Sequence, residues 1–283
     1  MFGYYNLSLQ GRSHKAGKIP CQDANRVMVL SNGTIVAAIA DGLGSAPYSD
    51  IGSFLAVDTV VEHMKLHAEP VWNIQELHSG LKSAFTLALE RIQKKAKQDK
   101  NPVADYDTTL TAAVYDGSQV VYAHVGDGGI ITLSSKGKLR RLTEVQKGGE
   151  FNSVCPLKNV DSWVFGQSKD NVCAFSLFTD GIYDVVCPWL LAGSDPPIYI
   201  NYVRPFMDRN LLKAETPEDF SKIKKEVKNF LESEHNSSIT DDKTVVTIIN
   251  TEITPKLRDE SYYAEPDWQA LQQETRKKLY TQN

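Results

Sequence analysis

Residues 36–46 read VAAIADGLGSA, an apolar run that ends in one aspartate and continues into glycines and small residues. The apolar run predicts a buried β-strand ending at Asp41, after which Gly42 and Gly44 let the backbone turn sharply. A carboxylate at the edge of a core must be hydrogen-bonded, ion-paired or metal-bound, because stranded charge is costly. Taken alone, Asp41 is equally well explained as a capping residue in a strand–helix turn.

Four further aspartates stand in comparable places. They are Asp23 in PCQDAN, Asp127 in VYAHVGDGGI, Asp180 in FSLFTDGIYDVV and Asp241 in SITDDKTVVTII, where the acid precedes its strand. Each of them singly fits a turn or a strand start. Few basic residues stand beside them in the sequence to pair with their charge. Five carboxylates converging on one end of a sheet would suit a hard divalent cation such as Mg²⁺ or Mn²⁺.

The composition excludes several classes of protein. The chain has 283 residues, 41% of them hydrophobic, and a net charge of −4, which favours a folded domain over disorder. No cluster of Lys and Arg is dense enough to indicate nucleic-acid binding. The 4 cysteines are scattered without a C-x-x-C pair, which favours reduced thiols in the cytoplasm over disulfides or a zinc site. We expect neither a signal peptide nor a membrane span.

The strand and helix patterns predict an α+β layered fold. Strands are predicted in GYYNLSLQ, ANRVMVLS and TIVAAIA, and an antiparallel meander is predicted across residues 108–143. Helices are predicted from Ile51 with Phe54 on its apolar face, from Ile74 to Gln98, and from Pro217 with Thr216 as the N-cap. Residues 144–167 are expected to form an irregular surface loop, and residues 267–280 a helix in the polar C-terminal tail.

The order of the aspartate motifs carries a resemblance to a known family. The succession QDAN, ADGLGSA, YDTTLTAAV, AHVGDGGIITL, LFTDGIYDVV and DDKTVVTI resembles the type 2C metal-dependent serine/threonine protein phosphatases, most closely their compact bacterial branch. The resemblance extends from about Leu7 to Asn250. It implies a four-layer α-β-β-α sandwich with two central antiparallel sheets, a catalytic domain over residues 1–250, and a tail over residues 251–283 that docks on the domain or binds a partner.

The resemblance also implies a set of site residues. Asp41 would bridge two Mn²⁺ or Mg²⁺ ions, the Gly42 carbonyl would bind one of them, and Asp180 and Asp241 would bind the other. Asp23 would contact the metals through water. Asp127, together with Asp180, would hold a third and weaker ion. Thr108 and Thr109 match the strand start that packs beneath the site in this family.

The chain departs from the family pattern where the substrate phosphate should bind. Many relatives have an arginine in the first motif, whereas here the nearest is Arg12, separated from Asp23 by an insertion. Arg12 or His14 would take the phosphate-facing role, with Lys15 and Lys18 as further candidates. Arg12 is equally well explained as a solvated loop residue.

Two other positions also differ from the family. Leu43 stands where eukaryotic members have a histidine, and Gly129 stands where many relatives have an arginine. These changes put substrate binding in question more than metal binding.

The leading hypothesis is therefore a phosphatase that hydrolyses phosphoserine and phosphothreonine through a water activated by two metal ions. We expect a monomer that acts on phosphorylated proteins and opposes a serine/threonine kinase, without nucleic-acid or membrane partners. A second hypothesis is a non-catalytic module of the same fold that binds phosphorylated partners or regulates a kinase. A third, an unrelated cation-binding structural protein, is disfavoured because no D-x-D-x-D-G calcium loop is present.

Overall fold

The computed structural model describes residues 2–67, 73–148 and 154–281. Its ten strands are β1 (Phe2–Leu9), β2 (Asp23–Val29), β3 (Ile35–Asp41), β4 (Leu110–Tyr115), β5 (Val120–Val125), β6 (Gly129–Ser134), β7 (Leu139–Arg141), β8 (Val164–Gln167), β9 (Val172–Phe178) and β10 (Lys243–Asn250). Its α-helices are α1 (Arg12–Gly17), α2 (Ser49–Leu66), α3 (Ile74–Asp99), α4 (Asp180–Val186), α5 (Ile200–Met207), α6 (Arg209–Leu212), α7 (Pro217–Glu232) and α8 (Trp268–Thr281).

The strands form two antiparallel sheets of five strands each. One sheet has the order β2-β3-β4-β5-β8, and the other has the order β1-β10-β9-β6-β7. The interior strands β3 and β10 are buried along almost their whole length, because each sheet is covered on both faces. The four-layer sandwich expected from the resemblance is confirmed.

Three apolar clusters hold the layers together. Between the two sheets, Ile39, Tyr115, Phe175 and Ile248 belong to one cluster of buried side chains. A second cluster packs α2 and α3 against β3, β4 and β5, and a third packs α4, α5 and α7 against β9 and β10. The site described below lies at one end of this sandwich, where strands from both sheets end.

The prediction of a continuous meander over residues 108–143 was wrong at one point. β4 pairs with β5 in the first sheet, but β6 pairs with β7 and β9 in the second. The chain therefore crosses from one sheet to the other between Val125 and Gly129. Gly126 has φ of +125° there, a conformation that favours glycine, and Asp127 lies in this crossing rather than in a hairpin turn.

Two other predicted features differ in detail. Phe54 is 57% exposed, and the face of α2 that packs on the sheet is instead formed by Val57, Val60, Val61 and Met64. The described part of the 144–167 segment is not wholly irregular, since β8 pairs with β5 at the sheet edge. Residues 149–153 of this predicted loop lie outside the described residues.

The helix boundaries follow local capping rules. Thr216 caps α7 by accepting a hydrogen bond from the Asp219 backbone N–H, and the Asp219 side chain accepts from the Thr216 N–H in return. Pro217 occupies the first position of the helix, where its missing N–H costs nothing. The predicted start of this helix is confirmed, and Asn73 caps α3 in the same way.

Residues 251–281 run back along the second sheet. The Tyr262 hydroxyl accepts a hydrogen bond from the Leu139 N–H at 2.8 Å, and the Arg204 guanidinium lies 3.8 Å from the centre of the Tyr263 ring. The predicted tail helix is present as α8, and Trp268 meets Tyr199 edge-on. Among the described helices, none combines the length and apolarity needed to cross a membrane.

Candidate metal centre

Asp41 is the last residue of β3 and Asp23 the first residue of β2, so both lie at the same end of the first sheet. The two residues are direct partners in the antiparallel register of β2 and β3. The backbone of Asp41 is held by two threonines: its N–H donates to Thr109 Oγ1 at 2.9 Å, and its carbonyl accepts from Thr108 Oγ1 at 2.8 Å. Thr108 and Thr109 thus fix the direction in which β3 ends.

The Asp-Gly turn after β3 has no room for a side chain. A Cβ on Gly42 would lie 2.6 Å from the Ser49 carbonyl oxygen, so α2 can begin directly behind the turn only because this residue is glycine. The Gly42 N–H donates to the Gln22 carbonyl at 3.1 Å, which ties the turn to the start of β2. The turn is therefore held in place by two neighbouring elements.

Asp127 and Asp180 come from the second sheet and approach Asp41. Asp127 lies in the crossing that leads into β6, and Asp180 is the first residue of α4, directly after β9. One carboxylate oxygen from each of Asp41, Asp127 and Asp180 lies within 4.8 Å of the others. The fold thus brings together three acids of which the first and the last, Asp41 and Asp180, are 139 residues apart in the sequence.

Asp23 is buried beneath this cluster and is hydrogen-bonded to a threonine. Its Oδ2 accepts from Thr179 Oγ1 at 2.8 Å, and the same Thr179 oxygen accepts from the Thr244 N–H at 3.0 Å. Thr179 therefore links the ends of β2, β9 and β10. Only 8% of Asp23 is exposed, so its carboxylate sits at the floor of the site.

Asp241 lies in a second acidic group beside the first. His14 Nε2 is 4.0 Å from Asp241 Oδ1, and His14 Nδ1 makes a 3.0 Å electrostatic contact, not an aligned hydrogen bond, with Asp242 Oδ2. The Asp241 side chain is 57% exposed, whereas that of Asp242 is 2% exposed. Asp242 accepts hydrogen bonds from the backbone N–H groups of Gly11 and Gln22, both at 2.6 Å.

The acids raise one another's proton affinity. Burial, followed by the charge of Asp23, raises the pKa of Asp41 well above its usual value. Burial and the charge of Asp180 raise the pKa of Asp127 to about 7. Burial and the charge of Asp241 raise the pKa of Asp180 to about 6. The charge on Asp241 thus reaches Asp180, so the two acidic groups form one electrostatic unit.

The donor set fits a hard divalent cation. Within the described ranges, no lysine or arginine forms a salt bridge with Asp23, Asp41, Asp127 or Asp180. Asp127 Oδ1 is buried and has no hydrogen-bond partner among the same residues. An unpaired buried carboxylate oxygen in a site made of carboxylates is the environment that Mg²⁺ or Mn²⁺ would satisfy.

Asp184 was missed by the sequence analysis. It lies four residues after Asp180 on α4, and its charge is among the causes that raise the pKa values of Asp127 and Asp180. Burial raises the pKa of Asp184 itself, and the charge of Lys147 opposes that effect. The spacing of four could have revealed it, because residues i and i+4 share one face of a helix.

The candidates for phosphate binding separate into two places. His14 faces the acidic residues, whereas Arg12 and Lys15 line a pocket on the other side of α1. Lys18 ends α1 as an exposed residue in a left-handed conformation, with φ of 56°. The structure thus brings only His14, of these four residues, into contact with the aspartates.

The two remaining departures from the family pattern have local structural settings. A Cβ on Gly129 would lie 2.3 Å from the Tyr183 ring and 2.5 Å from Thr143 Oγ1, so an arginine cannot be accommodated while Tyr183 is buried there. Tyr183 donates to the Thr143 carbonyl at 3.0 Å. Leu43 is half-buried, and its N–H donates to the Asp107 carbonyl at 2.9 Å.

Comparison with solved structures finds the same fold in bacterial phosphatases. A bacterial serine phosphatase matches with a TM-score of 0.63 and 15% identity over 91% of this chain and 100% of its own. The S. agalactiae serine/threonine phosphatase matches with a TM-score of 0.62 and 14% identity over 88% of this chain and 99% of its own. The catalytic domain of PstP, in complex with 2 manganese ions, matches with a TM-score of 0.57 and 16% identity over 88% and 97% of the two chains. No curated protein matches the sequence.

A family model identifies the class of protein that has this fold and this cluster of aspartates. The model of the family described as protein phosphatase 2C matches residues 10–238. The chain belongs to this family. The matched region contains Asp23, Asp41, Asp127 and Asp180 and ends just before Asp241.

Proposed function

We propose that this protein removes phosphate from phosphoserine and phosphothreonine in proteins, with Asp41, Asp180 and Asp241 as direct ligands of Mn²⁺ or Mg²⁺. The observation that carries the proposal is the cluster of Asp41, Asp127 and Asp180, whose carboxylate oxygens lie within 4.8 Å of one another. A cluster of like charges at a domain end is unfavourable by itself and becomes favourable when cations bind.

Each residue has a role that its position supports. Asp41, whose backbone is held by Thr108 and Thr109, would be shared between two ions, and the adjoining Gly42 carbonyl would bind one of them. Asp127, with its unsatisfied oxygen, and Asp180 would hold a third ion. Asp23 at the floor would act on the ions through water, while Thr179 keeps its carboxylate in place.

Bound at these carboxylates, divalent ions would acidify a water for attack on phosphorus and neutralise the phosphoryl oxygens. The protein would hold the acids in position and keep basic side chains from pairing with them. We assign His14 to the side of the site that faces the substrate phosphate, because Nε2 of His14 lies beside the exposed Asp241. Arg12 lines the neighbouring pocket, so its charge acts on the substrate from outside the aspartate cluster.

Hydrolysis of p-nitrophenyl phosphate in Mn²⁺ tests the proposal. We expect activity in the wild type that is abolished by EDTA and reduced by a factor of about 100 or more in Asp41→Asn and Asp180→Asn, as expected for loss of a metal-dependent electrostatic contribution. Asp161→Asn, an exposed aspartate outside the site, is the matched control and should behave as the wild type. Equal activity in all four proteins, or activity that persists in EDTA, would disprove the mechanism.

The alternative of a non-catalytic binding module predicts a different result. A binding module of this fold would retain Mn²⁺ or phosphoprotein binding and show no turnover with any phosphorylated peptide. The Asp241 side chain is 57% exposed, and Asp41, Asp127 and Asp180 are only half-buried, which favours a site open to substrate over a closed structural site. We further propose that the protein is a cytoplasmic bacterial monomer with a signalling role, and that a serine/threonine kinase produces its substrates.

A further inference from the structure

A basic pocket lies on the far side of α1 from the aspartates. Its volume is about 210 Å³, and Arg12, Lys15 and Lys243 contribute its positive charges. Gln10 and Ser237 contribute uncharged polar groups to the same pocket, whereas the Asn236 side chain there is already bonded to Tyr202 and to the Phe230 carbonyl. This combination of cations and hydrogen-bonding groups is typical of sites that receive an anion.

Helix α1 forms the wall between this pocket and the metal centre. Arg12 and Lys15, three residues apart, share one face of the helix, and His14 faces Asp241 and Asp242 instead. The helix is anchored to the segment before β10, since the Ser13 N–H donates to the Thr240 carbonyl at 3.0 Å. The pocket is therefore fixed at a short distance from the candidate catalytic residues.

Lys243 gives the pocket a buried positive floor. Only 7% of this residue is exposed, and its Nζ donates to the Leu231 carbonyl at 3.0 Å, at the end of α7. Because side chains alternate along a strand, Lys243 points away from the face on which Asp242 meets His14. The two acids in the pocket wall, Glu232 and Glu234, are both exposed at its rim.

The three cations are not neutralised by ion pairing. Among the described residues, no carboxylate lies within salt-bridge distance of Arg12, Lys15 or Lys243. Burial lowers the pKa of Lys243, and the charges of Arg12 and Lys15 lower it further, whereas the charge of Glu232 opposes them. An incoming anion would offset the repulsion between the positive charges.

We propose that this pocket binds a second anionic group of the substrate protein, a carboxylate or a phosphate, close in sequence to the residue that is dephosphorylated. The proposal rests on the proposed function, because it places the scissile phosphate at the aspartates. Lys243, the first residue of β10, follows Asp241 by two residues, so their backbones lie at most about 7 Å apart. An extended substrate spans about 3.4 Å per residue, so the second anion would lie two to four residues from the phosphorylated one.

Matched phosphopeptides test the inference. The peptides share one phosphothreonine and carry, at the flanking positions, alanine, glutamate or a non-hydrolysable phosphonate analogue of phosphoserine. We expect kcat/KM for the glutamate peptide to exceed that for the alanine peptide about fivefold to tenfold at low salt and to fall as salt is raised. A larger gain with the phosphonate identifies phosphate as the preferred anion, and an equal or smaller gain identifies carboxylate.

Charge reversal at Lys15 provides the matched variants. Lys15→Glu should abolish or invert the preference for the acidic peptides, and Lys15→Arg should retain it. Hydrolysis of p-nitrophenyl phosphate, which has no second anion, should be the same in both variants and the wild type. The inference fails if the wild type treats acidic and neutral peptides alike, if the preference survives in Lys15→Glu, or if p-nitrophenyl phosphate hydrolysis falls in parallel with peptide hydrolysis.

A binding measurement separates this inference from the proposed function. Fluorescence anisotropy with an unphosphorylated, labelled glutamate peptide and the Mn²⁺-loaded protein needs no turnover. Tighter binding by the wild type than by Lys15→Glu supports the pocket even if the protein hydrolyses nothing, in which case only the proposed function fails. Equal binding by both proteins overturns the pocket even if p-nitrophenyl phosphate is hydrolysed.

Discussion

Asp23 lies directly opposite Asp41 across strands β2 and β3, at the point where both strands reach the end of the sandwich. Like charges at directly opposed positions destabilise a sheet. Here the charge of Asp23 is, after burial, the largest cause of the raised pKa of Asp41. The metal-free protein therefore holds a pair of acids that resist simultaneous ionisation, and binding of a cation at the proposed site would relieve their repulsion.

Replacing Asp41 should stabilise the metal-free protein and weaken its response to metal. Asp41→Asn keeps the shape of the side chain and removes its charge, so in EDTA it should raise the free energy of unfolding by about 1 kcal/mol. It should also reduce the stabilisation by Mn²⁺, which for a site at 100 times its Kd is about 2.7 kcal/mol. Thermal unfolding with and without Mn²⁺ measures both effects, with Asp161→Asn as the control. A lower stability in EDTA, with an unchanged response to Mn²⁺, would contradict the assignment.

The metal-free protein should lose stability as the pH rises through neutrality. In the folded state the pKa of Asp127 is raised to about 7, against an ordinary value of 3.8, so folding favours the protonated carboxyl. The stabilising contribution is complete below the ordinary value and is lost as the pH rises through the folded one. We expect the free energy of unfolding in EDTA to be lower at pH 8 than at pH 6.5, and Asp127→Asn to flatten this dependence.

The choice of pH range matters because of one buried histidine. Burial lowers the pKa of His124 to about 4, so this residue destabilises the fold as the pH falls below its ordinary value of 6.5. Measurements above pH 6.5 avoid this opposite effect. Mn²⁺ should reverse the trend, since metal binding requires ionised carboxylates and strengthens with pH. Stability in EDTA that is equal or greater at pH 8 would refute the raised pKa of Asp127.

Removing the single hydroxyl of Thr179 should lower the free energy of unfolding substantially. Its hydroxyl donates to Asp23 and accepts from the Thr244 N–H, and it is 1% exposed. Thr179→Val leaves both buried partners unsatisfied and should cost about 2 kcal/mol in urea denaturation. Thr86→Val, at an exposed hydroxyl that bonds to its own helix, should cost less than about 0.5 kcal/mol. Similar losses in the two variants would mean that the Asp23 contact contributes nothing.

Two helical glycines should respond to alanine in opposite ways. A Cβ on Gly52 in α2 would lie 2.1 Å from the Tyr106 carbonyl oxygen, which is backbone and cannot rotate away. Gly52→Ala should therefore destabilise the protein by about 2 kcal/mol or more. At Gly80 in α3 the nearest atom is the flexible end of Met64 at 3.3 Å, so Gly80→Ala should be neutral or stabilise by up to about 1 kcal/mol. Equal effects would show that α2 and the 103–106 turn can separate.

Gly52 also matters for the site. The Leu43 N–H donates to the Asp107 carbonyl at 2.9 Å, so the loop after Asp41 depends on the segment that contacts Gly52. We expect Gly52→Ala to weaken Mn²⁺ binding, measured by the Mn²⁺ concentration for half-maximal activity, while Gly80→Ala leaves it unchanged.

Removing residues 252–283 should reduce stability without changing the chemistry of the folded protein. The deletion removes Tyr262 from the edge strand β7 and Tyr263 from Arg204. An uncovered sheet edge promotes association, so the truncated protein should unfold at lower temperature and aggregate more readily. Its activity per folded molecule should remain, since the described contacts of the tail do not include the aspartates. Loss of kcat in soluble, folded truncated protein would contradict this.

Local patterns in the sequence were sufficient for most elements but not for their assembly. Thr216-Pro217 predicted the start of α7 because capping is a local interaction. The assignment of β5 and β6 to different sheets could not be predicted, since both strands are buried at every position and show no alternation. Asp127-Gly128 consequently looked like a hairpin turn. Strand β8 has four residues at a sheet edge, too short for a periodic signal.

For the site, too, local patterns predicted the residues but not how they assemble. The order of the motifs singled out five aspartates, and the structure places Asp41, Asp127 and Asp180 in one group and Asp241 beside His14. Distances between acids depend on how the two sheets end relative to each other, which no local pattern encodes. Asp184 does not belong to the pattern of acids at strand ends, because it lies one turn into a helix.

The pairing of the first strand with the last has a consequence for how the protein is made. Strand β10 lies between β1 and β9, and β1 pairs with β10 along its whole length, from Phe2 with Asn250 to Leu9 with Lys243. A nascent chain on the ribosome therefore carries β1 without its partner until nearly all of the domain has been translated. Asp241, which we propose as a metal ligand, emerges at that same late moment, so the proposed metal centre is complete only after β10 has been translated.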